Sequence, residues 1–141
     1  MVIDAPPEAI MDALADIGAV PSWSSVHKRV DVIDTYEDGR PHHVKVTIRV
    51  MGLIDTEVLE YHWGPNWMEW HAERTSMQHG QHGEYMLQPE GRGTRVRFNL
   101  TVEPKGHPLP EFLVKLARKP ILDAATEGLR KRVVGLIDTS G

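Results

Sequence analysis

The chain has 141 residues, a formal net charge of −4, 26% charged residues and no cysteine. This length fits one domain, and the negative charge argues against nucleic acid as a partner, because phosphate binding depends on clustered lysine and arginine. The lack of cysteine excludes disulfides and a cysteine nucleophile, and it suits the reducing cytoplasm, where we expect the protein to reside. No secretory signal is visible in residues 1–7, and no apolar run approaches the ~20 residues of an integral membrane segment.

The N-terminal region predicts a short helix with one buried face. Pro6 and Pro7 stand where proline is tolerated, at a helix start, and apolar residues recur at helical spacing until Gly18 supplies a stop. The apolar positions are Ile10, Met11, Leu14 and Ile17. The following residues are too broken to extend the pattern far, although a turn or two of helix would hold Trp23 against the core.

From about residue 26 the apolar period changes to two, which predicts strands with one dry and one wet face. Short turn signals, such as Asp38-Gly39 and Gly64-Pro65-Asn66, separate these stretches. Such short links join antiparallel neighbours, so the strands are expected to form a meander. We predict strands near residues 26–36, 42–50, 54–63, 67–74, 82–88 and 94–103.

One long amphipathic helix is predicted over residues 110–137. Its expected length of about 42 Å exceeds the ~33 Å of a ten-residue strand, so the sheet must curl lengthwise around the helix. The apolar stripe is smallest at Ala124, Ala125 and Gly128, which fits either a cavity or a close approach of helix and sheet. Pro120 predicts a kink, or a break at the two residues before it.

Several short strings follow the same order of elements. They are Ile3-Asp4-Ala5-Pro6-Pro7-Glu8-Ala9-Ile10, Leu14-Ala15-Asp16-Ile17, Pro21-Ser22-Trp23-Ser24, Asp38-Gly39-Arg40-Pro41, Gly93-Thr94-Arg95-Val96 and Ile121-Leu122-Asp123. With this order, the chain resembles the SRPBCC superfamily of START-like, helix-grip proteins, and most closely its polyketide cyclase/dehydrase and lipid-transport group.

The resemblance implies an α+β fold over a single domain, residues 1–141. A curved antiparallel sheet of six to seven strands would wrap around the long C-terminal helix, beside a short N-terminal helical segment. The family usually begins with a full strand, which is reduced here to about residues 1–4. The sheet edge left by this short strand favours a homodimer, or else a loop that covers it.

The resemblance also implies a pocket between the long helix and the concave face of the sheet. The alternation in the strands and the stripe of the helix direct large apolar and aromatic side chains into that space, and these fit an ordinary core as well as a ligand site. The residues expected there are Ile48, Leu59, Tyr61, Trp63, Met68, Trp70, Tyr85, Leu87, Phe98, Leu100, Leu116, Ile121 and Ala124.

The expected function is binding of an apolar small molecule, such as a lipid, a quinone or a polyketide-like compound, without a cofactor. The main alternative is a cofactor-independent cyclase or dehydratase. Its candidate groups are Tyr61, Arg74 and Tyr85, which could donate to, or stabilise, a developing enolate; no catalytic residue is assigned. A third alternative is a protein-interaction module that uses the outer sheet face or the basic residues 130–132.

The sequence predicts neither a metal site nor an inward-facing carboxylate or histidine. His42 and His43 are adjacent, so in a regular strand their side chains would face opposite sides of the sheet. His79 and His82 could reach one ion, but two ligands fall short of the usual zinc count.

Overall fold

A computed structural model describes residues 1–50, 52–72, 78–104 and 111–140 of the chain. Seven antiparallel strands form a single sheet in the order β1-β7-β6-β5-β4-β3-β2. The strands are β1 (Val2–Ile3), β2 (His27–Thr35), β3 (Pro41–Val50), β4 (Leu53–Trp63), β5 (Trp67–Ala72), β6 (Gln78–Glu90) and β7 (Gly93–Pro104). The predicted α+β architecture is confirmed.

Two short helices follow β1 and cover one end of the sheet. They are α1 (Pro7–Ala15) and α2 (Val20–Trp23), linked by a 3₁₀ turn at Ile17–Ala19. The predicted apolar face of α1 is buried, with Ile10 and Met11 almost fully enclosed. Trp23 packs partly buried against the core, so the predicted extra turn of helix is confirmed.

The C-terminal helix runs without a break through Pro120, so the predicted break before this residue is wrong. Its parts are α3 (Glu111–Asp123), a π-helical turn (Ala124–Gly128) and α4 (Leu129–Ser140). After the proline, the helix changes to wider π-type hydrogen bonding at Ala124–Gly128 and stays continuous. The Thr126 hydroxyl donates to the Leu122 carbonyl over 2.7 Å at this turn. Within the described ranges, no helix has the length and apolar character that crossing a membrane requires.

The π turn brings the C-terminal helix against the end of α2. A Cβ atom on Gly128 would lie 2.5 Å from the backbone carbonyl oxygen of Trp23, whereas a Cβ on Gly135 would have no heavy atom within 4 Å. The small residue at position 128 therefore serves close packing, which is one of the two interpretations that the sequence left open.

Alanine substitutions of these two glycines are expected to change the free energy of unfolding in opposite directions. Gly135→Ala should raise the free energy of unfolding by about 0.5–1 kcal/mol, because alanine is the better helix former. Gly128→Ala should lower it by about 1–3 kcal/mol, because the methyl group overpacks the contact with Trp23. Urea unfolding of both variants measures the difference, and equal stabilisation by both would contradict the close approach.

A β-bulge in the pairing of β2 with β3 places two adjacent histidines together. Asp34 pairs with His43 and Thr35 pairs with Pro41, so His42 is an extra residue in β3. Such a bulge re-aims side chains, and the rings of His42 and His43 lie 4.0 Å apart, centroid to centroid. The prediction that they face opposite sides of the sheet is wrong, because it assumed a regular strand.

Candidate ligand-binding site

An aromatic cluster occupies the centre of the concave face. The ring of Trp70 lies 6.0 Å from Tyr61, 6.1 Å from Tyr85 and 6.0 Å from Phe98, measured between centroids. Trp70 is paired across strands with Gly83, and a Cβ there would lie 2.2 Å from the indole ring. Glycine at position 83 therefore lets the indole lie flat over β6, which keeps the cluster compact.

Tyr85 ties this cluster to the C-terminal helix. Its hydroxyl donates to the Ala125 carbonyl oxygen in the π turn, over 2.8 Å, and the side chain is buried. Burial, followed by the charge interaction with Tyr61, raises the pKa of Tyr85 well above its usual range. The hydroxyl therefore stays protonated and holds helix and sheet together.

Two carboxylates also lie on the concave side, contrary to the sequence prediction. Asp55 and Glu57 are both buried, Glu57 with only 1% of its surface exposed. Burial, and secondly the negative charge of Glu57, raises the pKa of Tyr61 far above its usual range. The missed signal is in β4 itself, where Ile54 and Val58 occupy the outward phase and are 57% and 49% exposed.

The predicted pocket residues separate by burial. Leu59, Tyr61, Met68, Tyr85, Leu87 and Ala124 are buried, whereas Ile48, Trp63, Trp70, Phe98, Leu100 and Ile121 are half-buried. Leu116 is 53% exposed, so its predicted inward position is wrong: this part of the long helix leaves it facing solvent. Arg74 lies outside the described residues.

Trp63 uses its polar group within the fold. Its indole N–H donates to the Pro41 carbonyl oxygen over 2.8 Å, and the Arg40 guanidinium lies 5.1 Å above its ring. The indole N–H of Trp63 is therefore already partnered within the fold.

An open cavity of about 450 Å³ lies between β7 and the C-terminal helix. Its walls are Met1, Val96, Arg97, Phe98, Asn99, Leu122 and Thr126. Phe98 is shared with the aromatic cluster, since its ring lies 4.9 Å from that of Tyr85. The cavity thus borders the helical segment expected to cover a ligand, but it opens at the β7 side of the sheet.

The concave face offers hydrogen-bond donors and carboxylates, but among the described residues the groups of three or more potential metal ligands lie elsewhere. These groups are Asp34 with His42 and His43, Glu60 with His62 and His71, and Glu69 with His82 and Glu84. They follow the outward phase of the strands, opposite to Tyr61 and Tyr85.

The sequence profile of a protein family described as polyketide cyclase/dehydrase and lipid transport matches residues 1–134. No curated protein matches the chain. The family match and the fold agree with the resemblance that the sequence strings indicated.

Solved structures with the same fold extend over almost the whole chain. A START superfamily protein from Mycobacterium smegmatis has 22% identity and a TM-score of 0.84, covering 96% of this chain and 94% of its own. A protein from Thermus thermophilus has 24% identity and a TM-score of 0.78, with the same coverage. The Zhui aromatase/cyclase from Streptomyces sp. R1128 has 13% identity and a TM-score of 0.84, covering 100% and 94%. At these identities, the similarity establishes the fold alone.

Proposed function

Because the chain belongs to the polyketide cyclase/dehydrase and lipid transport family, we propose that it binds an apolar small molecule of the lipid, quinone or polyketide-like class. The bound molecule lies between β7 and the C-terminal helix and reaches toward the aromatic cluster. One observation carries this proposal: the cavity of about 450 Å³ that opens beside Phe98. Its volume falls within the range of about 300–1,000 Å³ usual for small-molecule sites.

The walls of the cavity suit an amphiphile. Val96, Phe98 and Leu122 supply apolar surface, while Arg97 supplies a cation at the exposed rim. The Asn99 amide at the rim already donates to the Glu84 carboxylate, over 3.1 Å. An apolar body with an anionic or carbonyl-bearing end therefore matches the cavity better than a purely hydrocarbon ligand.

A cyclase or dehydratase is the second candidate function, favoured by the buried carboxylate of Glu57 on the face that carries Tyr61. A carboxylate and a phenol on one concave face could act as base and acid toward a polyketide. Tyr85 is a poor acid for this purpose, because its hydroxyl already donates to Ala125. Glu57→Gln and Tyr61→Phe should each abolish turnover of a candidate polyketide while changing its binding affinity by no more than a few fold. Unchanged turnover in both variants would exclude Glu57 and Tyr61 as a catalytic site.

Binding is tested by filling the cavity from the helix side. Leu122→Trp should weaken binding of anilinonaphthalene sulfonate, an anionic apolar probe, by at least ~10-fold, because the indole occupies the space beside Phe98. Leu136→Trp is the matched control: Leu136 is on the same helix and is 40% exposed, against 38% for Leu122. Fluorescence titration of wild type and both variants measures the affinities.

Native mass spectrometry and solvent extraction of freshly purified protein should identify the natural ligand. Displacement of the probe by lipids and quinones then ranks the ligand classes. A protein that purifies empty and binds none of the panel would overturn the proposal, as would equal probe affinity in Leu122→Trp and wild type.

A further inference from the structure

The convex face of the sheet carries a group of imidazoles around one carboxylate. His42, Glu60, His62 and His71 form this group, called here the histidine–glutamate centre. The carboxylate of Glu60 lies 3.3 Å from His42 Nε2, 3.8 Å from His62 Nε2 and 3.0 Å from His71 Nε2. Glu60, His62 and His71 each place one potential metal-ligand atom within 4.8 Å of those of the other two.

The fold itself builds this centre from three neighbouring strands. Glu60 and His62 are two residues apart on β4, so both project from the same face. His71 of β5 is the direct cross-strand partner of Glu60. His42 joins them because the bulge in β3 turns its ring outward, where it lies 6.5 Å from the His62 ring, centroid to centroid.

A nearby tyrosine orients one of the imidazoles. The Tyr36 hydroxyl donates to the Tyr61 carbonyl oxygen over 2.6 Å, so its oxygen is left to accept from His62 Nδ1, which lies 3.4 Å away. With Nδ1 carrying the proton, Nε2 of His62 is unprotonated and can ligate an ion; it lies 3.8 Å from the Glu60 carboxylate. Metal-binding histidines typically have their second nitrogen held in this way.

We propose that the histidine–glutamate centre binds one divalent transition-metal ion of the Zn²⁺ class, with Glu60, His62 and His71 as ligands and His42 as the fourth. Zinc bonds of about 2.0–2.1 Å to nitrogen place tetrahedral ligand atoms roughly 3.3 Å apart. The distances from Glu60 to the three imidazoles, 3.0–3.8 Å, lie around that value. Imidazole donors favour zinc, copper or nickel over magnesium or calcium.

The two neighbouring groups on the same face are weaker candidates. Asp34 has only two histidines beside it, and one of them, His42, also contacts Glu60. The group of Glu69, His82 and Glu84 has a single imidazole. The ion at the centre would cross-link β3, β4 and β5 on the face opposite to the ligand cavity, so metal binding and probe binding are separate properties.

The test uses tag-free protein, since a polyhistidine tag would bind the same ions. Titration with Zn²⁺ by calorimetry should give one ion per chain, and Co²⁺ should develop the visible absorption of a tetrahedral site. His71→Gln and Glu60→Gln should each weaken Zn²⁺ binding by at least ~10-fold. Zn²⁺ at 100 times its Kd should raise the Tm of the wild type by roughly 5–10 °C.

His82→Gln and His43→Gln are the matched controls, because each removes an imidazole from the same face without removing a ligand of the centre. Both should bind Zn²⁺ within about twofold of wild type, and circular dichroism checks that every variant is folded. No binding by the wild type overturns the proposal. So does a loss caused by His43→Gln that exceeds the loss caused by His71→Gln, since the ion would then lie beside Asp34.

Discussion

Leu129→Ala is expected to lower the free energy of unfolding by about 3–4 kcal/mol. Leu129 follows the π turn and is completely buried, with 0% of its surface exposed. The substitution removes Cγ and both Cδ atoms of the leucine side chain. Their burial is lost, and a cavity is left between the C-terminal helix and the rest of the core. Urea or thermal unfolding, followed by circular dichroism, measures the loss, which should appear as a Tm lower by roughly 10 °C.

Leu136→Ala provides the control within the same helix. Leu136 is 40% exposed, so truncation should cost less than about 1 kcal/mol. Equal losses in the two variants would contradict the packing of the helix, because the two positions differ in burial, whereas the small gain in helix propensity from leucine to alanine is the same at both. The comparison also calibrates Leu122→Trp, since it shows how far changes on the exposed side of this helix affect folding.

The architecture could be predicted because each element carries its own periodic signal. In β4 and β6, the alternation placed Leu59, Tyr61 and Tyr85 on the concave side, and all three are buried. The same signal failed at Asp55 and Glu57, because two charged residues on the inward phase look like an outward stretch. Ile54 and Val58 alternate with these two residues and are exposed. The correct assignment of faces becomes visible only when the alternation is followed along the whole of β4.

The sequence pattern could not predict features that depend on how one strand pairs with another. The bulge at His42 arises from how β3 pairs with β2, and no residue of β3 alone specifies it. This single extra residue converts two histidines expected on opposite faces into neighbours. It also brings His42 beside Glu60, as the fourth residue of a metal site that the sequence did not predict.

The position of the irregular turn in the long helix also could not be predicted from the sequence. Pro120 predicted a kink, or a break just before it, but the helix passes through Pro120 and changes its hydrogen bonding only at Ala124–Gly128. The contacts of this π turn explain its position: Tyr85 donates to Ala125, and Gly128 meets Trp23. These contacts involve β6 and α2, so the helix sequence alone could not place the π turn. The predicted homodimer stays a prediction.

The sheet has two faces with different chemistry. The concave face collects aromatic rings and opens beside Phe98, whereas the convex face groups imidazoles with carboxylates. Because side chains alternate along each strand, substitutions at neighbouring positions can test the two faces separately. In β4, Tyr61 is assigned to the ligand face, and His62 to the histidine–glutamate centre.

Acid should destabilise the protein through His27, and His27→Gln should remove that part of the pH dependence. Burial lowers the pKa of His27 from 6.5 to about 4, and the buried Ser24 hydroxyl, 2.6 Å from Nδ1, suits a neutral ring that accepts a hydrogen bond. The unfolded chain binds a proton near pH 6.5 and the folded chain only near pH 4. The contribution of the neutral His27 to the free energy of unfolding is therefore fully present above pH 6.5. It falls by roughly 3 kcal/mol as the pH decreases to about 4. Urea unfolding at pH 7, 5.5 and 4 should show this excess loss in wild type and in His82→Gln, whose histidine is exposed. His27→Gln should not show it, and parallel losses in all three proteins would contradict a neutral His27 in the folded protein.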